Sequence, residues 1–217
     1  MAVRRHGVTQ GANAHAPRIS IRQSRSRARL KKDLSLGGLM TDAAHFFCLV
    51  GSMTPNGHGQ RLLDKAMAAV EAAGGTCEAW PIREKRLPFF GEVWDDANVA
   101  EFKERAGAAD GFIICTPEYH GTISGLLKNQ LDWLSFDQFS GKPVGILSTL
   151  GGQANSNALN HLRLSLRWVH ALVIQDQIAL PSAKHAWTEE GEFVDEALQG
   201  RMDKMGANLV EMANRLA

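Results

Sequence analysis

Cysteine is scarce in this chain: three in 217 residues, Cys48, Cys77 and Cys115, far apart and without C-x-x-C spacing. So few and so dispersed, they supply neither a disulfide framework nor a zinc site, and they read as reduced thiols inside buried strands of a cytoplasmic-type protein. No apolar run approaches the roughly 18–20 residues that span a bilayer. Arg4-Arg5 and Ala14-His15-Ala16 lack the apolar stretch that an export signal needs, which argues against secretion. Hydrolase and metal motifs are also missing. There is no Gly-Lys-Ser/Thr and no H-E-x-x-H, and Gly121-Thr122-Ile123-Ser124-Gly125 has the wrong spacing for G-x-S-x-G. Acids, histidines and cysteines form no metal-ligand cluster, so no metal is expected.

Net charge is nearly absent too, at +1, but the balance hides a division. Residues 1–40 hold nine bases against the single acid Asp33, or +8, while the other 177 carry 15 bases against 22 acids, or −7. The basic stretch shows neither helical nor strand periodicity and reads as a disordered extension. Two further readings of it stand: a transit peptide, which would move the protein to an organelle, or a translated leader ahead of a start at Met40. The functional domain is then 41–217. At 44% hydrophobic residues the chain as a whole can bury a core.

What is present is a regular alternation. Apolar runs at 45–50, 76–82, 111–116, 143–149 and 172–174 read as strands, the third without polar alternation because both its faces are covered. Helical periodicity appears at 62–73, closed by Gly74-Gly75, and at 99–109, 123–134 and 155–170. The last stretch, from about Asp195, carries Leu198, Met202, Met205, Leu209, Met212 and Leu216 as a core seam. Alternating strands and helices of these lengths predict an α/β fold, a flavodoxin-like doubly wound three-layer sandwich on a five-stranded parallel sheet. Ligands bind such sheets beyond the carboxyl ends of the strands.

Three loops lie there. The first, Gly51-Ser52-Met53-Thr54-Pro55-Asn56-Gly57-His58-Gly59-Gln60, is small and polar and opens into a helix, which suits a phosphate; an ordinary capped turn is an equal reading of the loop alone. It is no dinucleotide fingerprint, since Leu62 stands at the third glycine. The second, Thr116-Pro117-Glu118-Tyr119-His120-Gly121-Thr122, can hold a rigid backbone against a flat ring. The third is Ser148-Thr149-Leu150-Gly151-Gly152-Gln153.

The second loop and its continuation, Gly125-Leu126-Leu127-Lys128-Asn129-Gln130-Leu131-Asp132-Trp133, closely resemble the Pro-Glu-Tyr-Asn-Gly…Gly-x-Leu-Lys-Asn-x-x-Asp-Trp signature of the NADPH-dependent FMN reductase family. The resemblance extends over nearly all of 45–217. It implies FMN as cofactor and NADPH or NADH as co-substrate. It also implies a small-molecule acceptor (quinone, flavin, metal or azo compound), a ping-pong cycle and a homodimer or homotetramer, with no membrane or nucleic acid involved. Carried onto this chain, the phosphate residues are Ser52, Thr54, Asn56, His58 and Gln60. The ring and ribityl contacts are Pro117, Glu118, Tyr119, His120 and Gly121, and the other edge is lined by Ser148, Thr149, Gly151 and Gly152. No side-chain acid or base is required, because the flavin carries the chemistry.

Departures from the pattern matter. Thr54 replaces the usual arginine, with His58 or Arg61 as substitutes, the first loop reads as lengthened, His120 replaces asparagine, and Ser124 replaces proline but can open a helix. His120 is equally open to a structural role, and Lys128 to a solvated helix face. Trp133 and Trp168 are expected to pack, and Cys115 to be inert. The rival from another class is a flavodoxin-type electron carrier, against which stands the absence of a Thr-x-Thr-Gly-x-Thr loop. A nucleic-acid binder would rest on residues 1–40 alone.

Overall fold

A computed structural model describes residues 43–153 and 157–217; the expected extension at 1–40 lies outside them. β1 (His45–Val50) leads to α1 (His58–Ala72), then β2 (Thr76–Ala79), α2 (Ala97–Ala108) and β3 (Gly111–Tyr119). A two-residue β4 (Thr122–Ile123), α3 (Gly125–Asp132) and the single turn α4 (Phe136–Phe139) follow. β5 (Pro143–Thr149), α5 (Asn157–Trp168), β6 (Leu172–Leu180), a 3₁₀ turn (Ala183–His185) and α6 (Glu196–Leu216) complete the order.

The sheet runs β2-β1-β3-β5-β6, all parallel, with β4 antiparallel to β3. This is the expected doubly wound order with a sixth, two-residue strand added. The five residues from Phe112 to Thr116 are fully buried, as a strand covered on both faces requires. Right-handed crossovers with this order send α1 and α6 to one face and α2, α3 and α5 to the other. α1 and α6 pack against each other there. Below the site, Phe47, Trp80 and Phe102 form an aromatic cluster with ring centroids 5.0–6.4 Å apart.

Several boundaries differ from the sequence-based expectation, each for a physical reason. β2 stops at Ala79 and not at Ile82, because Pro81 has no N–H for the ladder. The last parallel strand extends from Leu172 to Leu180, past a register shift between Val144 and Ile146 of β5, where alternation is too weak to mark it. The helix expected from Ile123 begins at Gly125, because Ile123 pairs with Glu118. Ser124 then caps that helix, accepting from Leu127 N–H at 3.1 Å. Trp168, expected to pack, is 75% exposed.

Candidate active site

The carboxyl ends of β1, β3 and β5 bring the first two predicted loops together. Gly51 N–H donates to the Cys115 carbonyl at 2.8 Å, and Ser124 Oγ donates to the Gly51 carbonyl at 2.7 Å. Thr116 Oγ1 accepts from Ser124 N–H at 3.2 Å, and the buried Gln130 amide donates to the Val50 carbonyl at 3.0 Å. A Cβ at Gly51 would stand 2.6 Å from Ser124 Oγ, 3.0 Å from Leu127 Cβ and 3.1 Å from Thr116 Oγ1. Glycine is thus needed for the close approach of the two loops.

The first loop then turns at Thr54–Gly57. Thr54 N–H donates to Ser52 Oγ (3.2 Å), Gly57 N–H to the Thr54 carbonyl (3.2 Å), and Asn56 takes φ +53°, a left-handed value that Asn tolerates. α1 follows without a side-chain cap, its N-cap being Gly57. Its first amides therefore keep no side-chain oxygen of their own, the condition in which a helix start accepts an anion.

The second loop is a tight hairpin. Glu118 pairs with Ile123 and Tyr119 with Thr122, leaving His120 and Gly121 as the two turn residues, with φ +52° and +73°. Positive φ at both central positions is what a type I′ turn demands, and Asn-Gly is its preferred filling. Histidine at 120 keeps the conformation because it too enters the left-handed region more readily than most residues. Tyr119 is 55% exposed, presenting a ring beside the hairpin. Glu118 carboxylate accepts from Ala158 N–H at 3.0 Å, so its side chain serves the first turn of α5.

The third loop is divided. Ser148 and Thr149 are buried within β5, Thr149 in register with Pro117 of β3 and Leu180 of β6. Of the residues expected along the ring's other edge, Ser148 and Thr149 are thus inside the sheet, while Gly151, Gly152 and the following Gln153 are exposed. Cys115 is fully buried and burial pushes its thiol up, which leaves it protonated. Cys48 is likewise buried and raised, first by burial and then by the neighbouring Cys77.

Remote residues that sequence reasoning missed complete the first loop. Arg83, just after β2, directs Nε to the Met53 carbonyl and Nη2 to the Thr54 carbonyl, each 3.4 Å, and Nη2 to Gln60 Oε1 at 3.1 Å. It brings a guanidinium to the loop that lacks the usual arginine, and nothing local in sequence ties it there. Trp187 donates its indole N–H to His58 Nδ1 at 3.1 Å and stacks under the Arg61 guanidinium, 4.3 Å from the ring centroid. Burial, then the charge of Arg61, hold the His58 imidazole below its ordinary value. The aromatic-Glu-Gly-aromatic pattern of 187–193 was a readable turn signal.

Beside the site, residues 87–96 form a loop with exposed Phe89, Phe90 and Trp94. Pro88 carbonyl accepts from both Asn129 Nδ2 (2.9 Å) and Trp133 Nε1 (2.8 Å), and Asn129 Oδ1 accepts from Phe90 N–H (2.9 Å). Asn129 and the buried Trp133 thus hold this loop, while Lys128 pairs with Asp132 on the exposed face at 2.5 Å. Among the described residues, no group of three or more His, Cys, Asp or Glu could hold a metal ion, and no helix is long and apolar enough to cross a membrane.

Against known proteins, the model of the NADPH-dependent FMN reductase family matches residues 45–185. An FMN-dependent NADPH-azoreductase of Staphylococcus aureus is 34% identical over 154 residues, 67% of this chain and 81% of the relative. Among solved structures, the flavoenzyme NAD(P)H:(acceptor) oxidoreductase FerB of Paracoccus denitrificans superposes with TM-score 0.67 at 22% identity, over 80% of this chain and 98% of that one. An NADH:FMN oxidoreductase, EMOB, gives 0.62 at 24% identity, over 77% and 90%.

Proposed function

This chain belongs to the NADPH-dependent FMN reductase family, and from that premise we propose that it passes electrons from NADPH or NADH, through FMN, to a second small-molecule acceptor at the same open face. It is an oxidoreductase with FMN as cofactor and NADPH as co-substrate. Bound FMN supplies the redox chemistry, so the chain has only to bind, orient and shield.

The residues present fit that group. The observation that carries the reading is the junction at Gly51, where a side chain would collide with Ser124 and Thr116. It ties the loop that leads into an uncapped helix start to the residues flanking a rigid hairpin, joining a candidate anion site to a candidate flat-ring site. Ser52, Thr54, Asn56, His58 and Gln60 are assigned to the phosphate, with Arg83 standing in for the missing loop arginine. The backbone of Pro117–Gly121 takes the ring and ribityl, with Tyr119 at its margin and Gly151 and Gly152 opposite. Ser148 and Thr149 act by placing that last loop.

The acceptor class is quinone, flavin, metal or azo, taken in turn with the pyridine nucleotide in a ping-pong cycle; the azoreductase relative favours the azo class. The functional unit is 41–217, assembled as a homodimer or homotetramer. A groove of about 390 Å³ lined by Phe136, Phe139, Leu166, Val169 and the exposed Trp168 supports a second copy packing on α4 and α5.

The test is direct. The full chain is loaded with FMN and mixed anaerobically with NADPH and NADH, then with each acceptor. Bleaching of the flavin and recovery of its colour by acceptor is the expected result. Bound FMN that NADPH leaves oxidised would instead mark an electron carrier, and no FMN uptake would defeat both readings.

A further inference from the structure

We propose that Trp187 is a positioning residue for the FMN phosphate. By donating its indole N–H to His58 Nδ1 it fixes the neutral tautomer with the proton on Nε2, making His58 an oriented donor at the start of α1. The inference rests on the FMN reading above.

A ring nitrogen that accepts must be unprotonated, so a neutral imidazole bonded this way carries its proton on the other nitrogen. Nε2 has no hydrogen-bond partner among the described residues. His58 is the first residue of α1, directly after the Thr54–Gly57 turn, where a phosphate would meet the helix amides. Left alone, the imidazole would exchange tautomers and rotate. The indole removes both freedoms.

Trp187 is itself held from several sides. Residues 187–193 form a small hairpin: Trp187 bridges Phe193, their rings stack at 5.0 Å, and Thr188 N–H donates to the Glu192 carbonyl at 2.9 Å. Phe193 is buried, and Lys65 of α1 grips Glu192 at 2.5 Å. Arg61, stacked on the indole, is thereby engaged by this hairpin.

The charged and titratable groups on the elements around His58 are Arg61, Asp64 and Lys65 of α1, Arg83 after β2, Lys184 and His185 of the 3₁₀ turn, and Glu189, Glu190 and Glu192 of the hairpin. Lys65 and Glu192 offset one another. Protonating His58 requires breaking the indole bond and placing a cation near Arg61. The site therefore keeps a neutral donor as pH falls towards and below the ordinary histidine value of about 6.5.

The experiment uses the full chain as wild type, Trp187→Phe, His58→Asn and the double variant. Phenylalanine keeps a ring for Phe193 and Arg61 but removes the N–H. Histidine ¹⁵N NMR on the FMN-free protein reads the tautomer, and fluorescence titration reads FMN affinity between about pH 6 and pH 8. Expected are a single Nε2–H tautomer in wild type, and in Trp187→Phe mixed tautomers with FMN bound about three- to tenfold more weakly at the alkaline end. That deficit shrinks towards the acid end, because the released Nδ1 takes up a proton and the ring becomes a cation beside the phosphate; protonation of FMN itself affects both proteins equally. Asparagine already presents an amide donor, so adding Trp187→Phe to His58→Asn is expected to leave affinity unchanged. An unaltered tautomer or unaltered affinity in Trp187→Phe overturns the inference while wild-type binding preserves the FMN reading. Equal losses in the presence and absence of His58 overturn it as well, and a wild type that takes up no FMN overturns the reading on which it rests.

Discussion

The two loops that meet at Gly51 are built on opposite plans. The β3–β4 hairpin is formed locally: two residue pairs and two positive-φ turn residues, all within 118–123, set its turn, and α5 joins it only at Glu118 and Thr122. The β1–α1 loop is borrowed. Its conformation depends on Ser124 and Thr116 from across the sheet, on Arg83 after β2 and, at His58, on Trp187 near the far end of the chain. A local device survives substitution by local rules, as His120 for asparagine illustrates. A borrowed one fails wherever a distant lender is changed.

The strongest way to break that contrast is at the junction itself. Gly51→Val places methyl groups against Ser124, Leu127 and Thr116 and is expected to cost about 2–3 kcal/mol of stability together with FMN retention. Urea unfolding and the flavin-to-protein ratio measure the two losses, and a tolerated valine would mean the loops do not depend on each other. Next comes the hairpin tip: Gly121→Ala at φ +73° is expected to cost about 1–2 kcal/mol in the same unfolding experiment, whereas His120→Asn should be neutral or slightly stabilising. On the borrowed side, Arg83→Ala removes three contacts to the first loop. About tenfold weaker FMN binding is expected by titration, a loss of about 1.4 kcal/mol, with little change in melting temperature. Smallest is Lys128→Ala. Its partner Asp132 lies on an exposed helix face, so less than about 0.5 kcal/mol should be lost, and a larger effect would show that this signature residue contacts more than its own helix.

The contrast also explains what could be read in advance. The sheet order follows from alternation and crossover handedness, both local rules, so the doubly wound architecture was legible. The hairpin was legible only as a loop: Tyr-His-Gly carries turn chemistry in three adjacent letters, but Ile123, read as the start of a helix, pairs back with Glu118 as a strand. Ser124 was readable as a helix opener, but not its second bond to the Gly51 carbonyl. Arg83 and Trp187 were invisible because nothing near them in sequence refers to residues 51–60; only the folded sheet brings them together. Trp168 was misjudged for a different reason: a large aromatic residue suggests burial, yet it lies on the face that α5 leaves uncovered within one chain.

The loop at 87–96, away from both, bears on how such a protein can change. The Pro88 carbonyl takes two donors, Asn129 of α3 and Trp133 at its C-cap, while Phe89, three-quarters exposed, follows immediately. Anchorage and display are separated by a single peptide bond. The protein can therefore exchange Phe89 without renegotiating the attachment, whereas Phe90 and Trp94, packed on Trp133 with ring centroids 5.0 and 5.8 Å away, belong to it.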